Sequence, residues 1–134
     1  MSCSRSGRFA WVAGAVVVVA CGGAAREAFA IKQFFDEFKA VYVKPDSADP
    51  AEKALAAEVE TAKCNVCHKG SSKKERNGYG DALADRLDKK EDAKNVEKIR
   101  KALEEVAALP SDPANAGGPT FGALLKEGKL PGGK

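Results

Sequence analysis

Between Ile31 and Leu125 apolar residues recur at intervals of three and four, the spacing of one helix face, and no useful stretch alternates with period two. The pattern predicts an all-α domain. A first helix is expected from Ile31 to Tyr42, with Ile31, Phe35, Phe38 and Tyr42 on one stripe. Pro45 and Pro50 bracket a turn, and Asp49 followed by Pro50 forms a helix start. The second helix is expected from Pro50 to Cys67, carrying Leu55, Val59, Ala62 and Val66. Lys69 to Gly78 is polar and aperiodic and reads as a loop. A third helix is expected over Tyr79–Leu87, with Tyr79, Leu83 and Leu87 four apart. A fourth is expected over Asp92–Leu109, with Val96, Ile99, Leu103, Val106 and Leu109 inward. After an irregular Pro110–Pro119 connection, Thr120 is expected to cap a short last helix turning Phe121, Leu124 and Leu125 to the core.

Residues 1–30 do not belong to that pattern. Arg5 and Arg8 precede an apolar run from Phe9 to Ala20, and Ala28-Phe29-Ala30 is a small-x-small cleavage sequence. Twelve apolar residues fall short of the roughly 20 that span a bilayer. A secretory signal peptide cut after Ala30 is therefore expected, with residues 31–134 as one exported domain, periplasmic or otherwise outside the cytoplasm. Val18-Val19-Ala20-Cys21 is also lipobox-like, which leaves a lipid anchor at Cys21 as the alternative processing. Loss of the leader removes Arg5, Arg8, Arg26 and Glu27, so the charge falls from +3 for the whole chain to +1. That balance gives no case for nucleic acid.

Cys64-Asn65-Val66-Cys67-His68 carries the chemistry. On a helix, Cys64 and Cys67 share a face, so two thiols can add to the two vinyl groups along one porphyrin edge. His68 follows directly and is the only histidine in the chain. The motif reads as the attachment site of one covalent haem c, with Cys64 and Cys67 as thioether positions and His68 as proximal iron ligand. Other readings of a Cys-x-x-Cys pair are weaker on this sequence. A zinc site wants four ligands, and the remaining cysteines, Cys3 and Cys21, fall in the leader. A thioredoxin-like pair belongs near a βαβ pattern, which is absent from the sequence pattern. A disulfide across so small a loop would constrain the unfolded chain little.

A helix ending in CNVCH, a loop, further helices and an irregular stretch before a closing helix resembles a small monohaem class I cytochrome c. The segments FFDEFKAVYVKPDS, KCNVCHKGSSKKERNGYGDAL and GPTFGALLKEGKLPGGK, within Phe34–Lys134, are similar to a family of exported cytochrome-c-like proteins of planctomycete bacteria. The resemblance implies a helical fold around one haem, and it carries over only Cys64, Cys67 and His68.

Class I electron carriers usually place a methionine on the far side of the iron. Here the one methionine is Met1, in the leader, and no second histidine exists. The sixth position is left to water, a small ligand or an unusual residue: Tyr42, Tyr79, Asn77, one of Lys73, Lys74, Lys126 and Lys129, or the mature α-amino group. Tyr42 and Tyr79 read first as half-buried packing residues with wet hydroxyls, and Asn77 as half of a turn-forming Asn-Gly pair. The function expected is electron transfer to exported redox partner proteins, with binding or sensing of a small gas as the alternative. No acid-base constellation accompanies the motif, so the chain is not expected to be an enzyme.

Overall fold

The computed structural model describes residues 24–71 and 73–133, with side chains from Lys32 onward. It is mostly helical, and among the described residues no strand forms. Five α-helices follow one another: α1 (Ala24–Tyr42), α2 (Pro50–Ala62), α3 (Gly78–Ala84), α4 (Val96–Ala107) and α5 (Phe121–Lys126). A 3₁₀ turn, Lys63–Val66, continues from α2.

The helix starts follow their caps. Asp49 accepts the Ala51 N–H at 2.8 Å and Pro50 opens α2, where a missing N–H costs nothing. Thr120 caps α5 through the Ala123 N–H at 3.1 Å. α4 begins at Val96, four residues after the expected Asp92, because Asn95 accepts the Lys98 N–H at 3.0 Å. Asp92 instead folds back, accepting the Asp88 N–H at 2.8 Å and the Lys98 ammonium at 2.7 Å. α3 ends at Ala84 and α4 at Ala107, short of Leu87 and Leu109, whose amides close turns onto Leu83 and Val106. Leu87 is nevertheless buried and Leu109 half-buried.

α1 starts at Ala24, seven residues before the expected start, so the backbone of the expected cleavage sequence Ala28–Ala30 is helical. Most of the leader, with Cys3 and Cys21, lies outside the described residues. Among the described residues no helix is long and apolar enough to cross a membrane.

The expected second helix breaks at Lys63. This residue has φ 49°, ψ −112°, a conformation that few non-glycine residues adopt. Cys64 and Cys67 are therefore presented by a 3₁₀ turn and its exit instead of by an α-helix. Residues three apart eclipse one another in ideal 3₁₀ geometry, but here Cys64 is exposed and the Cys67 thiol is buried.

All five helices contribute to one core. Phe38 of α1, Leu55 and Val59 of α2, Tyr79 of α3, Ile99, Leu103 and Val106 of α4, and Phe121 and Leu125 of α5 are buried together, with Val66 from the turn. Phe38, Tyr79 and Phe121 form an edge-on aromatic chain, with centroid separations of 5.9 and 5.3 Å. α1 is pinned to α4 by the Tyr42 hydroxyl, which donates to the Leu103 carbonyl at 3.0 Å, and by the Arg100–Glu37 ion pair at 2.9 Å.

Candidate functional site

The CNVCH segment is held from two sides. On one side the chain after His68 turns back: the Lys69 N–H donates to the Glu75 carbonyl at 3.0 Å, and His68 pairs with Arg76 in an isolated antiparallel bridge. On the other side stands Asn77, buried at 4 % exposure. Its carboxamide nitrogen donates to the carbonyls of Asn65 at 3.2 Å and Val66 at 3.0 Å. Its side-chain oxygen accepts the Gly80 N–H at 2.9 Å and so caps α3. Its own N–H donates to the Cys67 carbonyl at 3.1 Å. The Asn-Gly pair expected as a turn is thus a helix cap that also grips the motif.

Gly80 and Gly132 permit this packing. A Cβ on Gly80 would overlap the Cys67 carbonyl oxygen, and one on Gly132 would overlap the Asn77 carboxamide. Leu130 and Gly132 of the C-terminal run border the same cleft.

His68 is half-buried, and its Nδ1 lies 3.2 Å from the Glu75 carbonyl oxygen. A carbonyl oxygen only accepts, so this contact calls for the proton on Nδ1. Metal-binding histidines are oriented in this way, with the second nitrogen donating to a backbone carbonyl. The ring lines a cleft of about 650 Å³ with Glu58, Thr61, Asn65, Asn77 and Leu130. This volume falls within the roughly 300–1,000 Å³ of ordinary ligand clefts.

The thiols differ from one another. Cys64 is exposed, whereas the Cys67 thiol is buried. Burial, with a smaller contribution from Cys64, pushes the Cys67 thiol up to about 12. Neither sulfur lines the cleft that His68 faces; Cys67 is close enough to the Tyr79 hydroxyl to add to the upward displacement of its pKa, which burial dominates. The Tyr79 ring is fully buried and its hydroxyl has no hydrogen-bond partner, so the expected half-buried, wet phenol is corrected. Tyr42 is half-buried, but its hydroxyl is spent on Leu103.

These residues can be tested against each chemistry. A closed zinc site needs four donors, and among the described residues no three His, Cys, Asp or Glu side chains converge. A c-type haem needs two thiols within one turn, an adjacent imidazole with Nε2 free, and a partner for its Nδ1–H. Cys64, Cys67 and His68 are the residue types that group takes, although neither sulfur lines the cleft beside His68.

Gly80 and the Glu75 carbonyl are parts of the site that sequence reasoning missed, and Asn77, expected as a turn residue or an unusual ligand, instead binds backbone groups of the motif. Asn before a Gly-Tyr-Gly run is a legible cap signal; its grip on Asn65 and Val66 leaves no local trace. In comparisons with protein-family models, curated proteins and solved structures, the chain matches none.

Proposed function

We propose that the chain is an exported monohaem c-type cytochrome that carries electrons, with one haem c attached through Cys64 and Cys67 and ligated by His68. The carrying observation is the His68 ring, oriented by its Nδ1 contact with the Glu75 carbonyl and one residue from Cys67. When bound, the haem supplies a one-electron iron couple. The chain's own part is to hold the ring in one orientation, fix the turn through Asn77, and border the cleft with Leu130 and Gly132. The class I cytochrome fold around the haem and the kinship with exported planctomycete proteins belong to the same proposal, as do export and redox partner proteins as recipients.

The sequence holds one histidine and only Met1 as methionine, and this favours a second reading in which the sixth position binds a small gas. Spectra of the loaded protein with and without carbon monoxide separate the two. Rapid, complete binding supports gas binding, and a low-spin spectrum that resists the ligand supports electron carriage. Without a methionine ligand, the reduction potential is expected below that of Met/His carriers. A spectroelectrochemical titration giving a potential in the Met/His range would contradict the ligation proposed.

A further inference from the structure

We propose that Asn77 is the positioning residue of the attachment turn, holding Asn65, Val66 and Cys67 in one conformation so that both cysteines and His68 are presented together. The inference takes its purpose from the haem reading above, but its geometry stands on the contacts alone. One carboxamide serves three backbone groups. Its nitrogen donates to the Asn65 and Val66 carbonyls, and its oxygen accepts the Gly80 N–H. With its main-chain bond to the Cys67 carbonyl, this single residue ties the motif to the first turn of α3.

The three bonds matter because they are the side-chain hydrogen bonds that tie the turn to α3. Lys63 leaves α2 with a positive φ, and the following 3₁₀ turn has no side-chain cap. Carbonyls of a short 3₁₀ turn that are buried without a donor are costly, and water is excluded from Val66. Asn77 supplies that donor from a distance of 11 residues. Gly132 lies against the same carboxamide, so the C-terminal segment seals the latch.

The cap and the latch are separable by chemistry. Asn77→Asp keeps an acceptor for Gly80, since Asp caps helices about as well as Asn. It replaces the donor facing Asn65 and Val66 with an oxygen, which repels those carbonyls. A role confined to starting α3 would leave this variant unaffected.

The test uses the full chain prepared without haem maturation, with the iodoacetamide alkylation rates of Cys64 and Cys67 read by peptide mass spectrometry. In the wild type Cys67 is expected to react far more slowly than Cys64. In Asn77→Asp, which loses the hydrogen bonds to the Asn65 and Val66 carbonyls, the Cys67 rate is expected to rise about tenfold or more, with Cys64 and the helical circular dichroism unchanged. A folded variant whose Cys67 rate stays at the wild-type value overturns the proposal. If the variant does not fold, hydrogen exchange of the Asn77 carboxamide protons in the wild-type chain decides. Strong protection supports the latch, and exchange at the free-amide rate overturns it. The Cys67 result reads the latch whether or not the wild type accepts haem, so failure of the haem reading leaves it legible.

Discussion

α4 and the stretch from Lys63 to Gly80 are ordered by different forces. α4 buries Ile99, Ala102, Leu103 and Val106 along one stripe and leaves its charged residues in water. Each fully buried aliphatic side chain of that kind contributes roughly 1.5–3 kcal/mol. The site stretch buries Val66, Asn77, Tyr79 and Gly80, of which only two bring large apolar surface. Its shape rests on hydrogen bonds that one carboxamide gives to backbone atoms, each contributing a net ~1 kcal/mol but costing more if one partner is removed. The stripe tolerates exchange of similar shapes, whereas the carboxamide's donor and acceptor pattern is matched only by glutamine, which is one methylene longer.

The contrast is broken most heavily at α4. Leu103→Ala is expected to cost about 2–5 kcal/mol and to lower the thermal midpoint of the whole domain, because it opens a cavity at the centre of the core. Differential scanning calorimetry checks this; a loss confined to one end of the molecule would contradict a single shared core. Gly80→Ala comes next, at about 1–3 kcal/mol, since the added Cβ meets the Cys67 carbonyl oxygen and backbone must yield. Its effect should concentrate in amide exchange of residues 64–80, with α4 protection kept.

Tyr79 sharpens the comparison further. Its ring belongs to the core, but its hydroxyl is buried without a partner. Tyr79→Phe is therefore expected to be neutral or to stabilise by about 1 kcal/mol, since an unsatisfied polar atom is removed from the interior. A clear destabilisation in urea unfolding would reveal a partner for the hydroxyl.

The smallest effect concerns acid. The Lys98 ammonium and then the Asp88 N–H hold the Asp92 carboxyl below its usual 3.8. The N–H groups of Glu91 and Lys90 do the same for Asp88, and Lys32 for Asp36. Groups with lowered folded pKa values contribute stability above 3.8 that is lost as pH falls through their folded values. Stability is expected to decline below pH 3.8, and less steeply in Asp92→Asn, as followed by acid titration of the helical signal.

These forces also govern how much of the fold was legible in the sequence. The stripes of Leu55 and Val59, of Ile99, Leu103 and Val106, and of Phe121 and Leu125 all proved buried, because apolar periodicity is itself the cause of those helices. Asp49, Pro50 and Thr120 marked helix starts for equally local reasons. The end of α2 was not legible. Cys64 to Val66 leave the α-helix where Asn77 captures the Asn65 and Val66 carbonyls, and that donor arrives from the far side of a loop. Asp92 misled as a helix start because its carboxylate is drawn back to Asp88. In the candidate site the motif names Cys64, Cys67 and His68. The orientation of His68 and the separation of the sulfurs from its cleft were not legible, since both depend on contacts between distant segments.

The central claim is that Cys64, Cys67 and His68 hold a covalent haem. Its most direct test is the intact mass and pyridine haemochrome spectrum of the full chain, coexpressed with a c-type haem maturation system and isolated under denaturing conditions. One haem per chain is expected, retained after denaturation through thioether bonds and lost on Cys64→Ser with Cys67→Ser. A chain recovered at its unmodified mass from a system that loads other c-type proteins would contradict it.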